Sequence, residues 1–500
     1  MTGMRKGSQD FRGMAGQRSF NSPIEVVANN RYAICLAAIS LLTLVLRLYH
    51  LGLDSLWLDE SFSIVLSQNS LTGIIALASE DVHPPLYYLL LHFFLSLPGQ
   101  IELVARMPSV IFGVLAIFPL YFLAKDLFGK NVGIVASLLY AVSFAGITYS
   151  QEARMYTMMV FLGAIQMYYF YRSIKRDQLA DWAVFAISSV LIVYTHYYGF
   201  LLTGTLALYG LAISFRTKSK DALNTAAFRH LLIIMALIFL AFLPQLPVAY
   251  HQSQSSMVAS QLQTDNLMFF PKLAYFLTAC GIKNPRTILT VAFTAAYMAL
   301  SAAGIVLAWR KKSRELSYLL TILIIASMAT LLLSNFTRFC GFRYILFLIV
   351  PYLALVSNGI VSLAEHAGNA RYRVMTLAGM IALILLAVAF SITPLYSGTN
   401  VDIRGAMQYV KDHSSSGDKV VVFNSDSISP GLYAGLLGIQ DMVEKNSSYD
   451  DIISDDSGIV WAIVSDIRDN PGNEDVLPLL NEHMQLRATV SRASVYYRPT

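Results

Sequence analysis

The segment VARMPSVIFGVLAIFPLYFLAK, residues 104–125, is apolar along almost its whole length. A helix needs about 20 apolar residues to cross the hydrocarbon core of a membrane, so this segment is long enough to span it. Ten other runs of similar character occur near 31–50, 131–149, 155–172, 181–198, 199–215, 229–249, 287–309, 316–334, 343–363 and 373–394. The pattern predicts a polytopic α-helical membrane protein with about eleven spans.

The composition of the 500 residues agrees with this prediction. Hydrophobic residues make up 56% of the chain and charged residues only 13%, and the mean hydropathy is +0.55. Soluble domains carry roughly a quarter charged residues, so an ordinary soluble protein is excluded. The net charge of +5 comes from basic residues at the ends of apolar runs, where they act as topology signals, and it does not indicate nucleic-acid binding.

Basic residues predict which connections face the cytoplasm, because cytoplasmic loops carry an excess of Lys and Arg. Residues 1–30 are polar and basic, which predicts a disordered cytoplasmic tail. Five further clusters fall at alternate connections: Lys125/Lys130, Arg172/Lys175/Arg176, Arg216/Lys218/Lys220, Arg310/Lys311/Lys312/Arg314 and Arg371/Arg373. All five face the cytoplasm only if residues 84–98 lie on or dip into the outer membrane surface without crossing it. This segment is short for a span and is bounded by prolines.

The composition changes near residue 397, where charged and polar residues return after the membrane domain of residues 31–396. The spacing in VDIRGAMQYVKDH (401–413) predicts a helix, and KVVVFN (419–424) and GIVWAIVSD (458–466) are typical of buried strands. A short helix over 478–484 and a hairpin over 485–499 follow. Residues 397–500 are therefore predicted to form a small extracytoplasmic α/β domain, and no nucleotide-binding motif occurs in it.

The first predicted outer connection contains the motif WLDESFS (57–63), in which Asp59 and Glu60 are adjacent and lie between Trp57 and Phe62. Apolar surroundings favour a carboxyl group that accepts a proton near neutral pH, so the pair is the candidate general base. The alternative is an ordinary pair of solvated loop carboxylates.

Farther along, Asp81 and His83 precede two prolines and could orient an acceptor, bind a phosphate or ligate a metal. Asp81 fits a helix cap equally well.

The second outer connection, YSQEARMY (149–156), contains Gln151, Glu152, Arg154 and Tyr156. An arginine can hold a phosphate with two hydrogen bonds, so Arg154 is a candidate for that role. The alternative, an ion pair between Glu152 and Arg154 that caps the helix ends, is equally compatible with the sequence.

Two later outer connections carry aromatic and basic residues. YTHYYGF (194–200) contains His196 and Tyr197, which fit either a sugar- or phosphate-binding edge or an interfacial aromatic belt. NFTRFCGFRY (335–344) contains Arg338, Arg343 and Tyr344. Arginines on the outer side need an anionic partner, and a lipid phosphate would serve, as would nearby lipid headgroups in general.

Four stretches together resemble the GT-C class of membrane glycosyltransferases: WLDESFS (57–63), DVHPPLYYLLLHF (81–93), ARMPSVIFGVLAIFPLYFLAKDLFG (105–129) and YSQEARMY (149–156). More narrowly, they are similar to bacterial relatives of protein O-mannosyltransferases and of the lipid A aminoarabinose transferase, most densely over residues 45–200. The resemblance implies the GT-C fold and a sugar donor linked to polyprenyl phosphate. It also implies transfer on the outer membrane face, usually with inversion at the anomeric carbon.

The resemblance also assigns individual residues. It places the acidic motif of the first outer loop on Asp59 and Glu60, the HPP element on His83 and its two prolines, and the arginine that opens the second span on Arg106. The QEARMY stretch falls on residues 151–156. Acceptors vary within the class and include lipids, glycans and protein hydroxyls. Metal dependence varies too, so the resemblance leaves a divalent ion open and assigns no cofactor.

These observations predict a glycosyltransferase of the plasma membrane whose donor and membrane lipids are its main partners. Asp59 would take the proton of the acceptor hydroxyl, and Glu60 would orient the site or share that proton. The leaving phosphate would be stabilised by Arg106, Arg154, Arg338 and Arg343. One alternative is a transporter or flippase for lipid-linked sugars, which would need charged or broken helices at mid-membrane. Another is a non-catalytic envelope assembly protein.

The topology yields the first prediction. A reporter fused after Thr500 should be extracytoplasmic, because five basic clusters fall at alternate connections and residues 84–98 do not cross. We expect alkaline phosphatase activity from this fusion, and no fluorescence from a reporter that folds only in the cytoplasm. Fluorescence without phosphatase activity would show that the eleven-span arrangement is wrong.

Overall fold

The computed structural model describes residues 23–216, 226–254, 268–279, 288–336, 341–392, 396, 401–423, 427–444, 459–465 and 476–498. The first helices, α1 to α9, are Pro23–Leu48, Leu58–Ser67, Leu71–Glu80, Leu86–Leu95, Ile101–Leu115, Ile117–Phe128, Lys130–Ala141, Phe144–Thr148 and Tyr156–Arg176. Helices α10 to α18 are Leu179–Thr195, Gly199–Arg216, Ala226–Phe242, Leu246–Ser253, Phe269–Ala279, Ile288–Arg310, Arg314–Phe336, Ile349–Glu365 and Ala370–Ile392. Three 3-10 helices are Leu243–Gln245, Phe342–Leu348 and Gln440–Met442.

Each of the eleven apolar runs is mostly helical where the structure describes it, so the chain is a polytopic α-helical membrane protein. Among the described residues, six helices are long and apolar enough to cross a membrane by length and composition: Asn30–Leu48, Ile101–Phe128, Ala226–Ser253, Thr290–Arg310, Arg314–Ser334 and Phe342–Glu365. The total of eleven spans stays a prediction.

Helix α1 begins at Pro23, so residues 23–30 are helical instead of forming the end of a disordered tail. The remainder of that tail lies outside the described residues.

Helix α4 supports the prediction that the apolar segment over residues 84–98 is not a span. Its ten residues, Leu86–Leu95, extend about 15 Å, half of the roughly 30 Å hydrocarbon core. The helix packs against α2 and α5. It is therefore too short to cross a membrane as a helix.

The helix connections gather at two opposite ends of the membrane domain. At one end Lys175 pairs with Glu315 at 3.0 Å, and Lys311 pairs with Glu365 at 3.8 Å. We call this the basic end, because the described residues of the predicted cytoplasmic clusters lie there. At the opposite end, called the site end, the predicted outer connections meet. This sorting is what the alternate placement of basic residues predicts.

Helix α17 lies in the centre of the membrane domain, and its apolar window within Phe342–Glu365 is entirely buried. It packs closely against α15, where a Cβ atom added at Gly359 would lie 1.9 Å from the carbonyl oxygen of Leu300. Asn358 reinforces this crossing by donating to the carbonyl of Gly304 at 2.9 Å. Because the 3-10 helix Phe342–Leu348 leads directly into α17, the side chains at residues 343 and 344 are held at the site end.

The C-terminal region forms a small α/β unit around a four-stranded sheet. Its strands β1 to β4 are Lys419–Phe423, Ile459–Ser465, Gln485–Val490 and Ala493–Tyr497, in the order β1-β2-β4-β3. The first pair is parallel and the other two pairs are antiparallel. Its helices are α19 (Ile403–His413), α20 (Ile428–Leu437) and α21 (Val476–His483). The predicted helix over 401–413, both strands and the final hairpin are confirmed, whereas the sequence analysis did not identify α20.

Candidate active site

A buried ion pair fixes the start of the loop helix α2. Glu60 lies in the first turn of α2 and is fully buried. Arg106 of α5 donates from Nε to Glu60 Oε1 at 2.7 Å and from Nη2 to Oε2 at 2.8 Å. The N–H of Ala153 also donates to Oε1, at 2.8 Å. Both oxygens of Glu60 are therefore engaged, which excludes it as the proton acceptor for a substrate hydroxyl in this arrangement.

Arg106 uses all of its N–H groups within the protein. Besides the two bonds to Glu60, its Nη1 donates to the carbonyls of Leu51 at 2.6 Å and Asp54 at 3.1 Å, and its Nη2 donates to that of Ser55 at 3.4 Å. A guanidinium has five N–H donors, and five acceptors are present. The prediction that Arg106 stabilises the leaving phosphate is therefore wrong for this structure, because Arg106 organises the loop before α2 instead.

Asp59 is the carboxylate that remains accessible. Successive helix residues point about 100° apart, so the Asp59 side chain faces away from the buried ion pair between Glu60 and Arg106. Its side chain is 24% exposed, and its Oδ2 lies 3.2 Å from Nη1 of Arg343. The Arg343 guanidinium is flanked by the rings of Trp57, Tyr156 and Tyr344, at 6.0, 5.5 and 5.5 Å from their centroids. The aromatic rings hold the cation in place beside a carboxylate that solvent can reach.

Arg154 is a second, more deeply buried cation at the same place. Its Nη1 donates to Ser63 Oγ at 3.0 Å and to the carbonyl oxygen of Asp59 at 3.3 Å. Within the described part of the chain, its Nε has no hydrogen-bond partner although it is buried. Burying a cation is costly unless it is paired, so a guanidinium with spare donors next to Asp59 suits an anionic ligand.

Glu152 lies beside these charges, and its Oε2 is buried without a hydrogen-bond partner among the described residues. Burial, together with the nearby carboxylates of Glu60 and Asp59, raises the pKa of Glu152 to about 8, although Arg343 and Arg154 oppose the shift. Glu152 therefore holds a proton at neutral pH, and it does not form the ion pair with Arg154 that the sequence allowed.

Asp81 and His83 form one edge of the cluster. The Nδ1 of His83 lies 3.3 Å from Asp81 Oδ2, to which Tyr88 also donates at 2.7 Å. Burial opposes ionisation of Asp81, but the hydrogen bonds of His83, Tyr88 and the Val82 N–H prevail and lower the pKa of Asp81 to about 2. Burial lowers the pKa of His83 despite Asp81, so its imidazole is neutral at pH 7.

An aromatic layer joins this edge to Arg343. The ring of His83 lies 5.1 Å from that of His196, and His196 lies 4.7 Å from Tyr344. Tyr198 packs against both His196 and Tyr344, at 5.5 and 5.4 Å. The structure thus brings together residues from four outer connections that are far apart in sequence.

Some predicted site residues lie elsewhere. Gln151 donates to the carbonyls of Arg47 and Tyr49 at 3.1 and 2.8 Å, so it caps the end of α1. Tyr197 hydrogen-bonds to Gln252 and Gln245, and its ring packs against Phe242 at 6.2 Å. Tyr198, the next residue, takes the position expected of Tyr197. Ser63, which accepts a hydrogen bond from Arg154, was not predicted as a site residue. Arg338 lies outside the described residues.

The C-terminal domain holds the loop that carries Asp59. Tyr433 of α20 accepts from the backbone N–H of Leu56 at 2.7 Å and donates to the buried Glu102 at 2.8 Å. Ser61 of α2 donates to Ser429 at 2.9 Å.

Two residues near α19 add to this hold on the loop. Ser55 donates to Asp402 at 2.6 Å. Arg404 pairs with Glu102 at 3.0 Å. The position of α2 therefore depends on both domains.

The described residues contain no group of three or more His, Cys, Asp or Glu side chains that could hold a metal ion.

Comparison with known proteins supports the class indicated by this arrangement. Residues 82–247 match the family model of dolichyl-phosphate-mannose-protein mannosyltransferases, less than half of the chain. No curated protein sequence matches the chain significantly. Together with the structures compared below, this match indicates that the chain is a membrane protein with the fold of GT-C glycosyltransferases.

ArnT and AglB are two of the solved proteins with similar structures. ArnT from Cupriavidus metallidurans matches in its apo state with TM-score 0.55 and 13% identity, covering 94% of this chain and 98% of that chain. The same ArnT bound to undecaprenyl phosphate matches with TM-score 0.54, 13% identity and coverage of 93% and 98%. The archaeal oligosaccharyltransferase AglB from Archaeoglobus fulgidus, in complex with an inhibitory peptide and a dolichol-phosphate, matches with TM-score 0.51, 12% identity and coverage of 95% and 75%. At these identities the likeness establishes the fold alone.

The raised pKa of Glu152 yields a prediction about stability. An unfolded glutamic acid releases its proton near pH 4.5 and folded Glu152 near pH 8, so the folded state binds more protons between these values. Stability should therefore fall as pH rises from 4.5 to 8, by at most about 1.4 kcal/mol per pH unit. Glu152→Gln cannot titrate and should flatten this part of the profile.

The measurement is the Tm of the detergent-solubilised protein at pH 5.5 and 8.5. We expect the wild type to lose a few more degrees than Glu152→Gln between the two values. Glu80→Gln, which alters an exposed carboxylate at the end of α3, should keep the wild-type slope. Parallel profiles for wild type and Glu152→Gln would contradict the assignment.

Proposed function

We propose that this protein transfers a sugar from a polyprenyl-phosphate carrier to a hydroxyl group of a lipid, glycan or protein acceptor on the outer membrane face. The observation that carries the proposal is the ion pair between Asp59 and Arg343, beside Arg154, at one end of a GT-C fold. A carboxylate and two arginines supply the proton acceptor and the phosphate-binding groups that this reaction needs. The resemblance to ArnT, solved with undecaprenyl phosphate, and to AglB, solved with dolichol-phosphate, supports the donor class.

In the proposed reaction, Asp59 accepts the proton of the acceptor hydroxyl while the oxygen attacks the anomeric carbon of the sugar. The bond between that carbon and the carrier phosphate oxygen breaks, and the electron pair leaves with the phosphate. Arg343 and Arg154 stabilise the negative charge that develops on this oxygen. A phosphate is a good leaving group, so no strong general acid is required, and a single displacement inverts the configuration.

The arrival of the donor also changes the surroundings of Asp59. Without substrate, Arg343 neutralises Asp59 across 3.2 Å. A donor phosphate that binds Arg343 would share this cation, which makes Asp59 a better proton acceptor once both substrates are present. Glu60 and Arg106 act as positioning residues in this scheme, because they fix the helix turn from which Asp59 projects.

The distribution of charge favours an enzyme over a transporter. The carboxylates and arginines gather where the outer connections meet, at the helix ends, whereas transport sites are built near the bilayer midplane from broken helices.

Mass spectrometry of lipid-linked sugars and surface glycans in a deletion strain tests the proposal directly. A glycan that is lost in the deletion strain should return with the wild-type gene, and unchanged glycans and carriers would oppose the proposal.

The role of Asp59 gives a sharper prediction. Asn has nearly the shape of Asp but cannot accept the proton, so Asp59→Asn should cut transfer by roughly a hundredfold or more. The measurement is the amount of the restored glycan per amount of folded protein in the complemented strain. Glu80→Gln serves as the control, since it also turns an outer carboxylate into an amide, and it should transfer at the wild-type rate. Full activity in Asp59→Asn would remove Asp59 as the base.

The role of Arg343 gives a separate prediction. Arg343→Gln should raise the donor KM about tenfold or more, or abolish turnover. The reason is that hydrogen bonds to charged groups contribute roughly 1.5–3 kcal/mol. Arg343→Lys keeps the charge beside Asp59 but lacks the planar fork, so it should retain part of the activity. Initial rates at varied donor concentration in purified protein provide the measurement. Unchanged kinetics in Arg343→Gln and in Arg154→Gln would exclude both arginines from phosphate binding.

A further inference from the structure

Two adjoining cavities open at the basic end of the membrane domain, on the side opposite to the candidate active site. The larger, of about 660 Å³, lies between the ends of α9, α11 and α16. The smaller, of about 370 Å³, lies beside it next to the end of α6. The two share Tyr171 and Lys175 in their lining, so they form one continuous recess.

The recess carries a surplus of positive charge. Five basic residues line it against two carboxylates, namely Lys125, Arg172, Lys175, Arg176 and Arg314 against Asp126 and Glu315. Three of the basic residues already have carboxylate partners: Lys125 with Asp126 at 3.3 Å, Lys175 with Glu315 at 3.0 Å, and Arg172 with Asp181 at 2.9 Å.

The other two cations are Arg176 at the end of α9 and Arg314 at the start of α16. Both side chains are exposed. Among the described residues, neither has a carboxylate within ion-pairing distance, unlike their three neighbours. Two guanidinium groups at the rim of one recess are thus available to an external anion, and guanidinium binds phosphate oxygens with paired hydrogen bonds.

The wall of the larger cavity is apolar and aromatic. It is formed by Phe170, Tyr171, Ile174, Tyr209, Ile213 and Tyr318. A soluble phosphate compound would leave this surface exposed to water, whereas a lipid would place its glycerol and upper acyl chain against it. Basic recesses between the ends of membrane helices, at the depth of the headgroups, suit anionic phospholipids for this reason.

We propose that this recess binds the headgroup of an anionic phospholipid, with Arg176 and Arg314 on its phosphate and the aromatic wall against its glycerol and upper chain. The site lies across the membrane domain from Asp59 and is independent of the proposed transfer reaction. The lipid would join the ends of α9, α11 and α16.

The test uses the purified full-length protein in detergent micelles, with phosphatidylglycerol and phosphatidylcholine as probes and native mass spectrometry as the readout. The wild type should retain phosphatidylglycerol in preference to phosphatidylcholine, and 0.5 M salt should weaken this preference because screening shortens the reach of the charges. The double variant Arg176→Gln/Arg314→Gln should bind phosphatidylglycerol at least tenfold more weakly, at about fivefold per cation.

Two further double variants serve as controls. Lys311→Gln/Arg371→Gln removes two exposed cations at the same end that line neither cavity, and it should bind like the wild type. Arg176→Lys/Arg314→Lys keeps both charges and should lose no more than about threefold. If the Gln variant does not fold, the comparison of the two lipids and the salt titration on the wild type still test whether the recess prefers an anionic headgroup.

Three outcomes would overturn the proposal. Equal retention of phosphatidylglycerol and phosphatidylcholine would show that the anionic headgroup is not recognised. Equal loss in the Lys311/Arg371 control would show a general surface effect instead of a site. Displacement of the lipid by glycerol 3-phosphate at comparable concentration would show that the recess takes a soluble phosphate ester and that the apolar wall contributes nothing.

Discussion

The buried ion pair between Glu60 and Arg106 is the interaction on which the rest of the site depends. It ties the first turn of α2 to α5, and through the remaining N–H groups of Arg106 it gathers the carbonyls of the preceding loop. The N–H of Ala153 brings the second outer connection to the same carboxylate. Removing one partner of such a pair typically costs about 3–5 kcal/mol, because the other charge is left buried. The pair therefore sets where Asp59 lies and how Glu152 and Arg154 approach it.

The charges around Asp59 balance once Glu152 holds its proton. Three arginines, at positions 106, 154 and 343, then face the carboxylates of Asp59, Glu60 and Asp81. The neutral form of His83 adds no charge to this balance. A phosphate entering such a site meets spare guanidinium N–H donors on Arg154 and Arg343. The protonated Glu152 avoids a fourth negative charge near the place where, in the proposed reaction, the leaving group develops one.

The sequence predicted the membrane fold and most of the residues that meet at the site end, because apolar run length and basic residues at alternate connections are local signals. It could not distinguish Asp59 from Glu60, or Tyr197 from Tyr198. Neighbours in sequence point in different directions, and only the packing of α5, α13 and α17 decides which of them enters the site. The sequence also predicted that Arg106 binds the phosphate. It could not show otherwise, because the carbonyl groups that accept hydrogen bonds from Arg106 belong to a loop about fifty residues earlier. Helix α20 escaped notice because ISPGLYAGLL is short and contains a proline and two glycines.

The hold of the C-terminal domain on α2 has a consequence for how the protein is made. The loop with Ser55, Leu56 and Ser61 is synthesised about 350 residues before its partners Asp402, Ser429 and Tyr433. A nascent chain stopped after α18 would contain α1 to α18 and the arginines at positions 106, 154 and 343, yet its loop helix would lack its anchors in the C-terminal domain. A premature stop codon near residue 400 would thus give a membrane-inserted product with an unsecured Asp59. The ribosome must therefore reach the C-terminal domain before the loop that carries Asp59 can take its final position.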